Sequence, residues 1–196
     1  MSDQSRNGPG IGHNGGPDMG RGKTWRTHQW RKAQRDLMPN TIPLMVVRMR
    51  MRRAAELGMT YRAYAQVRQS SGQDILALLF SSNSLRIIGA GARMPADRAA
   101  HLAPLAAPRL SLVHPPNTPG AVALMNPELD AAATAPRFTE SWSAMRTRLE
   151  TFLSAQNLPG SRVLIVGDAP LEADWSTAAR AAAYLPADSY FPAASG

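Results

Sequence analysis

The sequence predicts an α/β (or α+β) fold: a basic helical module in front, a small parallel-sheet module behind, and a disordered Gly-rich N-terminal tail. Three observations carry that expectation. Residues 1–90 hold 14 basic and 5 acidic side chains, net +9, whereas residues 91–196 hold 8 and 9, net −1. Seven of the 15 glycines lie in residues 1–22 and twelve of the 16 prolines in residues 91–196. From residue 85 onward, short apolar runs alternate with helical periods across Gly/Pro turns, the pattern of parallel strands joined by crossover helices. The expected boundaries are 1–23 for the tail, 24–84 for the helical module and 85–196 for the α/β module.

The 196 residues suit one ordinary domain or two small ones sharing an interface, and 44% apolar content is enough for a core. The absence of Cys removes disulfides, thiolate zinc sites, iron–sulfur clusters and cysteine nucleophiles. The longest apolar runs, such as 75–80, fall far short of the ~20 residues a membrane-spanning helix needs. No apolar stretch follows the first charges as in a secretory signal, so a cytoplasmic location is expected.

The elements follow in order. Residues 1–22 have too little apolar surface to offset the entropy of ordering. Residues 24–38 read as a helix ending before Pro39, with Trp30, Ala33 and Leu37 on one face. Asn40 and Thr41 are cap candidates for a second helix over 43–57, ending at Gly58, whose stripe is Leu44, Val47, Met51, Ala54 and Ala55. Thr60 caps a third over 61–69, with Gly72 as its stop. A fourth, opening at Ser71 or Asp74, is apolar all round through Ile75, Leu78, Leu79 and Phe80. It is therefore the buried helix, packed toward the second module. Beyond it the strand candidates are 85–88, 109–114, 121–125 and 162–166. The helices are 96–105, 139–155 (with Phe138, Trp142, Met145, Leu149, Phe152 and Leu153 along one face) and 172–184.

Several motifs bear on chemistry. Ala54, Gly58, Tyr64 and Val67 are spaced so that residues 48–68 resemble the helix-turn-helix DNA-binding motif. There a small residue lets two helices cross, Gly makes the turn and two apolar residues hold the second helix. Tyr64 is larger than the Val or Ile usual at its position. The resemblance implies base or phosphate contacts from Tyr61, Arg62, Gln66 and Arg68, and backbone contacts from Arg48, Arg52 and Arg53. A packed helical corner that meets no DNA is the other reading of the same residues. Trp25 and Trp30 among Arg26, Arg31 and Lys32 suit base stacking or plain burial. Ile11-Gly12-His13-Asn14-Gly15-Gly16-Pro17 is similar to short tails of bacterial phage-derived and mobile-element accessory proteins.

In the second half, Gly89-Ala90-Gly91-Ala92-Arg93-Met94 resembles a dinucleotide-binding glycine loop without its third glycine. Val166-Gly167-Asp168, with Glu172 and Asp174 following, resembles the last acidic motif of haloacid-dehalogenase-type phosphatases, which implies Mg²⁺. That chemistry also needs an Asp-x-Asp loop, which the chain lacks; Glu128-Leu129-Asp130 is the nearest pair. His13, His28, His101 and His114 show no metal spacing, and no Gly-x-Ser-x-Gly elbow occurs. No catalytic residue, metal or cofactor is expected.

The preferred expectation is a non-enzymatic, nucleic-acid-binding accessory or regulatory protein, with duplex DNA the first candidate and the α/β part docking a partner or small ligand. A homodimer is an open possibility. Two rivals stand beside it: an adaptor whose basic face docks an acidic protein, and a nucleotide- or phosphate-binding protein centred on Gly89, Gly91 and Asp168.

Overall fold

The computed structural model describes residues 42–91 and 93–191. The expected tail, the helix over 24–38 and the residues within them, Trp25 and Trp30 included, lie outside the described residues. From Met45 onward the chain forms one compact unit.

Five parallel strands, β1 (Ala77–Ser81), β2 (Arg109–Val113), β3 (Ala131–Thr134), β4 (Val163–Gly167) and β5 (Ala183–Pro186), make one sheet in the order β3-β2-β1-β4-β5. The α/β class holds. β1 is the central strand: Leu79 lies level with Leu110 on one side and Ile165 on the other. Seven helices accompany the sheet among the described residues: α1 (Leu44–Glu56), α2 (Tyr61–Ser71), α3 (Ala96–Leu102), α4 (Pro119–Met125), α5 (Trp142–Ala155), α6 (Asp174–Ala178) and α7 (Ala187–Tyr190).

The period-2 alternation of the strands builds two cores, one on each face. Leu78, Phe80, Leu164 and Val166 meet Ala54 of α1, Tyr64 and Val67 of α2, Leu102 of α3, Val122 of α4 and Tyr190 of α7. On the other face Leu79, Leu110, Leu112 and Ile165 pack on Met145, Leu149 and Leu153 of α5 and on Trp175 and Ala178 of α6. Met145, Leu149 and Leu153 recur every four residues, so α5 turns one stripe inward. Ser141 caps it by accepting from the Ala144 amide.

Several expectations need correction. Residues 75–80 are not a fourth helix: Ala77–Ser81 is a strand with every residue buried. An apolar run this short has no period that separates a buried helix from a central parallel strand. The boundary expected at residue 84 therefore cuts behind the sheet's middle strand, which pairs with both β2 and β4. Residues 85–88 are turn and coil. Residues 121–125 belong to α4, where Thr118 accepts from the Ala121 amide and Pro119 supplies the first turn. The helix expected over 172–184 stops early, because Arg180 takes φ +50. The chain then enters the edge strand β5, overriding the helix propensity of alanine. Of the stripe expected on α1 only Ala54 is buried; Leu44 and Met51 are exposed, since the helix meets the core only near its C-terminal end.

Candidate functional site

From β1 the chain builds outward through β2 and β3, then crosses to the other side for β4 and β5. Such a reversal opens a crevice at the carboxyl ends of the middle strands, where ligands of open parallel sheets sit. β1 ends there in Ser81-Ser82-Asn83-Ser84, β2 in His114 and β4 in Gly167-Asp168.

One carboxylate ties these ends together. A 3₁₀ turn, Pro170–Ala173, folds Glu172 back beneath the tip of β4, where the residue is 1% exposed. Its Oε2 accepts from the amides of Asp168 (2.7 Å) and Ala169 (3.2 Å). Its Oε1 accepts from Asn83 Nδ2 and meets His114 Nε2, both at 2.8 Å. Burial alone raises the Glu172 carboxyl, but the hydrogen bonds from His114, Ser81 and the two amides outweigh it and hold the group below its ordinary value. Glu172 is thus an ionised acceptor with every nearby donor aimed at it. Gly167 makes the approach possible: a Cβ there would lie 2.7 Å from Glu172 Oε2 and from Tyr184.

Beside this pair lies a cavity of about 500 Å³. His114 forms one wall and stacks on Trp175, ring centroids 5.5 Å apart and planes 27° apart. Pro136, Met145, Phe138 and Leu171 add apolar wall, and Arg137, Thr139 and Asp174 are polar residues on the same lining. Phe138 is 81% exposed and Leu171 56%, so two large apolar side chains stand in solvent at the cavity. The expected inward face of α5 therefore begins later than Phe138 and Trp142.

The predicted site residues lie elsewhere or in other roles. Asp168 pairs with Arg86 at 3.2 Å. Gly89 and Gly91 fall in a turn well beyond β1, bridged by Asn117, whose Nδ2 donates to the Gly89 carbonyl while its Oδ1 accepts from the Gly91 amide. The amide a pyrophosphate would need is taken, and α3 starts only at Ala96.

Nor do the residues fit a Mg²⁺ ion. β1 contributes serines and Asn83 but no carboxylate, Asp168 faces an arginine, and both Glu172 oxygens are committed to N–H donors. Glu128 and Asp130 precede β3 at the opposite edge of the sheet, where Asp130 holds Arg109 at 2.9 Å. Among the described residues no group of three His, Asp or Glu side chains is placed to share a metal.

On the helical side, the corner exists. Gly58 turns at φ +65, Thr60 caps α2, and Ala54, Tyr64 and Val67 are buried. The size of Tyr64 is accommodated because its hydroxyl donates to Asp74 at 2.8 Å. Arg53 donates to Glu56 (2.9 Å) and to the Ile75 carbonyl (2.8 Å) and lies 3.6 Å from Asp74. Arg68 also pairs with Asp74 at 3.6 Å. Both are tied inward instead of facing a polyanion. Arg48, Arg52, Arg62 and Gln66 are exposed, and Tyr61 is half-buried.

His114, Glu172, Asn83 and Trp175 went unrecognised as a site. The available signal was topological: strands ending at His114 and Gly167 must finish on the same edge if both are parallel. Comparisons with protein-family models, curated proteins and solved structures gave no match.

Proposed function

We propose that the protein binds a small, largely apolar molecule in the crevice at the carboxyl ends of β1, β2 and β4. The observation that carries this reading is a cavity of ligand size whose polar wall, His114, is held in place by a buried, ionised Glu172 while the remaining wall is mostly apolar and aromatic. Exposed Phe138 and Leu171 at the same place are what an apolar ligand would cover. The test is saturation-transfer NMR with simple neutral aromatics, anisole first, on the full chain and on Leu171→Trp, which adds bulk at an exposed position. Binding by the natural chain that is lost in Leu171→Trp supports the reading. No binding by the natural chain overturns it.

Polyanion binding by the helical side is a second reading, favoured by one observation: Arg48 and Arg62 are exposed and carry no ion pair among the described residues, and Arg52 has only a 3.9 Å contact with Glu56. With Arg53 and Arg68 engaged by carboxylates, these three supply a modest footprint. At about −0.9 per phosphate contact, these three should contribute roughly −3 to the slope of log K against log salt for duplex DNA. A slope near zero, or an unchanged slope in the Arg48/Arg52/Arg62 triple alanine variant, removes this reading.

A further inference from the structure

The hydrogen bonds around Glu172 fix more than its own position. Its two oxygens face three N–H groups, from Asn83, Asp168 and Ala169, and the Nε2 atom of His114, and the carboxyl is held in its ionised form. An ionised carboxylate only accepts, so the hydrogen of the His114 contact belongs to the imidazole and sits on Nε2. In the neutral ring Nδ1 is then a bare acceptor. Nδ1 has no hydrogen-bond partner among the described residues, while the ring lines the cavity and its plane is fixed by Trp175. That acceptor, in a chamber whose wall is mostly apolar and aromatic with Arg137, Thr139 and Asp174 also on it, asks for a donor on an apolar body.

We infer that the ligand of this cavity is a neutral aromatic or comparably flat apolar compound bearing a single O–H or N–H group that donates to His114 Nδ1. The inference rests on the cavity reading above and adds the group the site selects. Pro136, Met145 and Phe138 surround the apolar body, and with the fixed tautomer a ligand that presents only acceptors binds more weakly. A ligand that covers a polar group without matching it desolvates that group without return, so such a site discriminates more sharply than one that measures size.

The experiment uses phenol and anisole, rings of similar size of which only phenol has the donor, titrated calorimetrically into the full chain. In parallel the two imidazole nitrogens of His114 are followed by ¹⁵N NMR. The expected result is phenol binding at least tenfold tighter than anisole, an Nε2–H tautomer in the free protein, and an Nδ1 resonance that moves with phenol and stays with anisole. His114→Phe should bring the two ligands to equal affinity. If that variant does not fold, the Nδ1 shift in the natural chain decides alone. Equal affinities with an unmoved Nδ1, or a hydrogen found on Nδ1, overturn the donor inference and leave the cavity reading standing. Binding of neither compound removes both.

Discussion

Replacing Glu172 by Gln changes one atom and one charge, yet it should destabilise the fold severely. The carboxylate receives four N–H groups in a pocket where it is 1% exposed. A glutamine must turn its own N–H₂ toward one of the two pairs, leaving two donors facing a donor. Each buried donor left unmatched costs about 1–3 kcal/mol, so two of them make roughly 2–5 kcal/mol the expected loss. For a unit of this size, about 2–4 °C per kcal/mol gives a fall in melting temperature on the order of 10 °C. The pH profile gives a second readout. On acidification the unfolded chain takes up a proton at Glu172 near its ordinary value of 4.5, while the folded chain does so only lower. The contribution is complete above that value and is lost as pH falls through the lower, folded one. Urea titrations of both proteins between pH 3 and 7 measure it. The variant should lose stability at pH 7 and show a shallower acid slope. A variant within about 1 kcal/mol of the natural chain at pH 7 would refute the claim that this carboxylate holds the strand ends together.

Burial pushes the His101 imidazole below 6.5, helped by the nearby charge of Arg98, so the unfolded chain protonates first. Stability should therefore decline as pH drops from 6.5 toward the lower folded value, and His101→Leu should flatten that part of a melting-temperature profile. Gly58→Ala forces φ +65 on a side chain whose Cβ would lie 2.8 Å from His101 Nε2 and Leu105. It should cost well over the about 1–2 kcal/mol of a left-handed backbone alone, whereas Gly72→Ala, at φ +70 with open space, should stay within that range in urea denaturation. Arg53→Ala loses the bond to the Ile75 carbonyl and the pairing with Glu56 and should cost about 1–2 kcal/mol. Arg52→Ala, whose side chain is 77% exposed, should change stability by less than about 0.5, so equal effects would contradict the inward role of Arg53.

Where the fold was legible, local chemistry and tertiary context agreed. Thr60 and Gly72 cap the helix they announce. The runs at Arg109–Val113 and Val163–Gly167 are strands because β-branched and leucine side chains alternate across a pleat buried on both faces. The two edge strands escaped the sequence for one reason. β3 is Ala-Ala-Ala-Thr and β5 is Ala-Tyr-Leu-Pro, segments too short and too poor in β-branched residues to signal a strand in isolation. They are strands because β2 and β4 present open edges beside them, a pairing that no local window contains.

The site was hidden for the same reason, and its concealment follows from how such a sheet is built. Asn83, His114 and Glu172 are separated by 31 and 58 residues, so no spacing rule links them. Parallel strands bring them to one edge only once β1 is placed between β2 and β4, and reading residues 75–80 as a helix removed the strand that does so. The charge asymmetry pointed to the opposite end of the sequence, where two of the arginines that produce it turn out to be bound by Asp74. Net charge sums side chains without asking what each one touches. A single buried carboxylate that meets Asn83, His114, Asp168 and Ala169 alters that sum by only one unit, yet it orients the ring on which the proposed selection of a ligand rests.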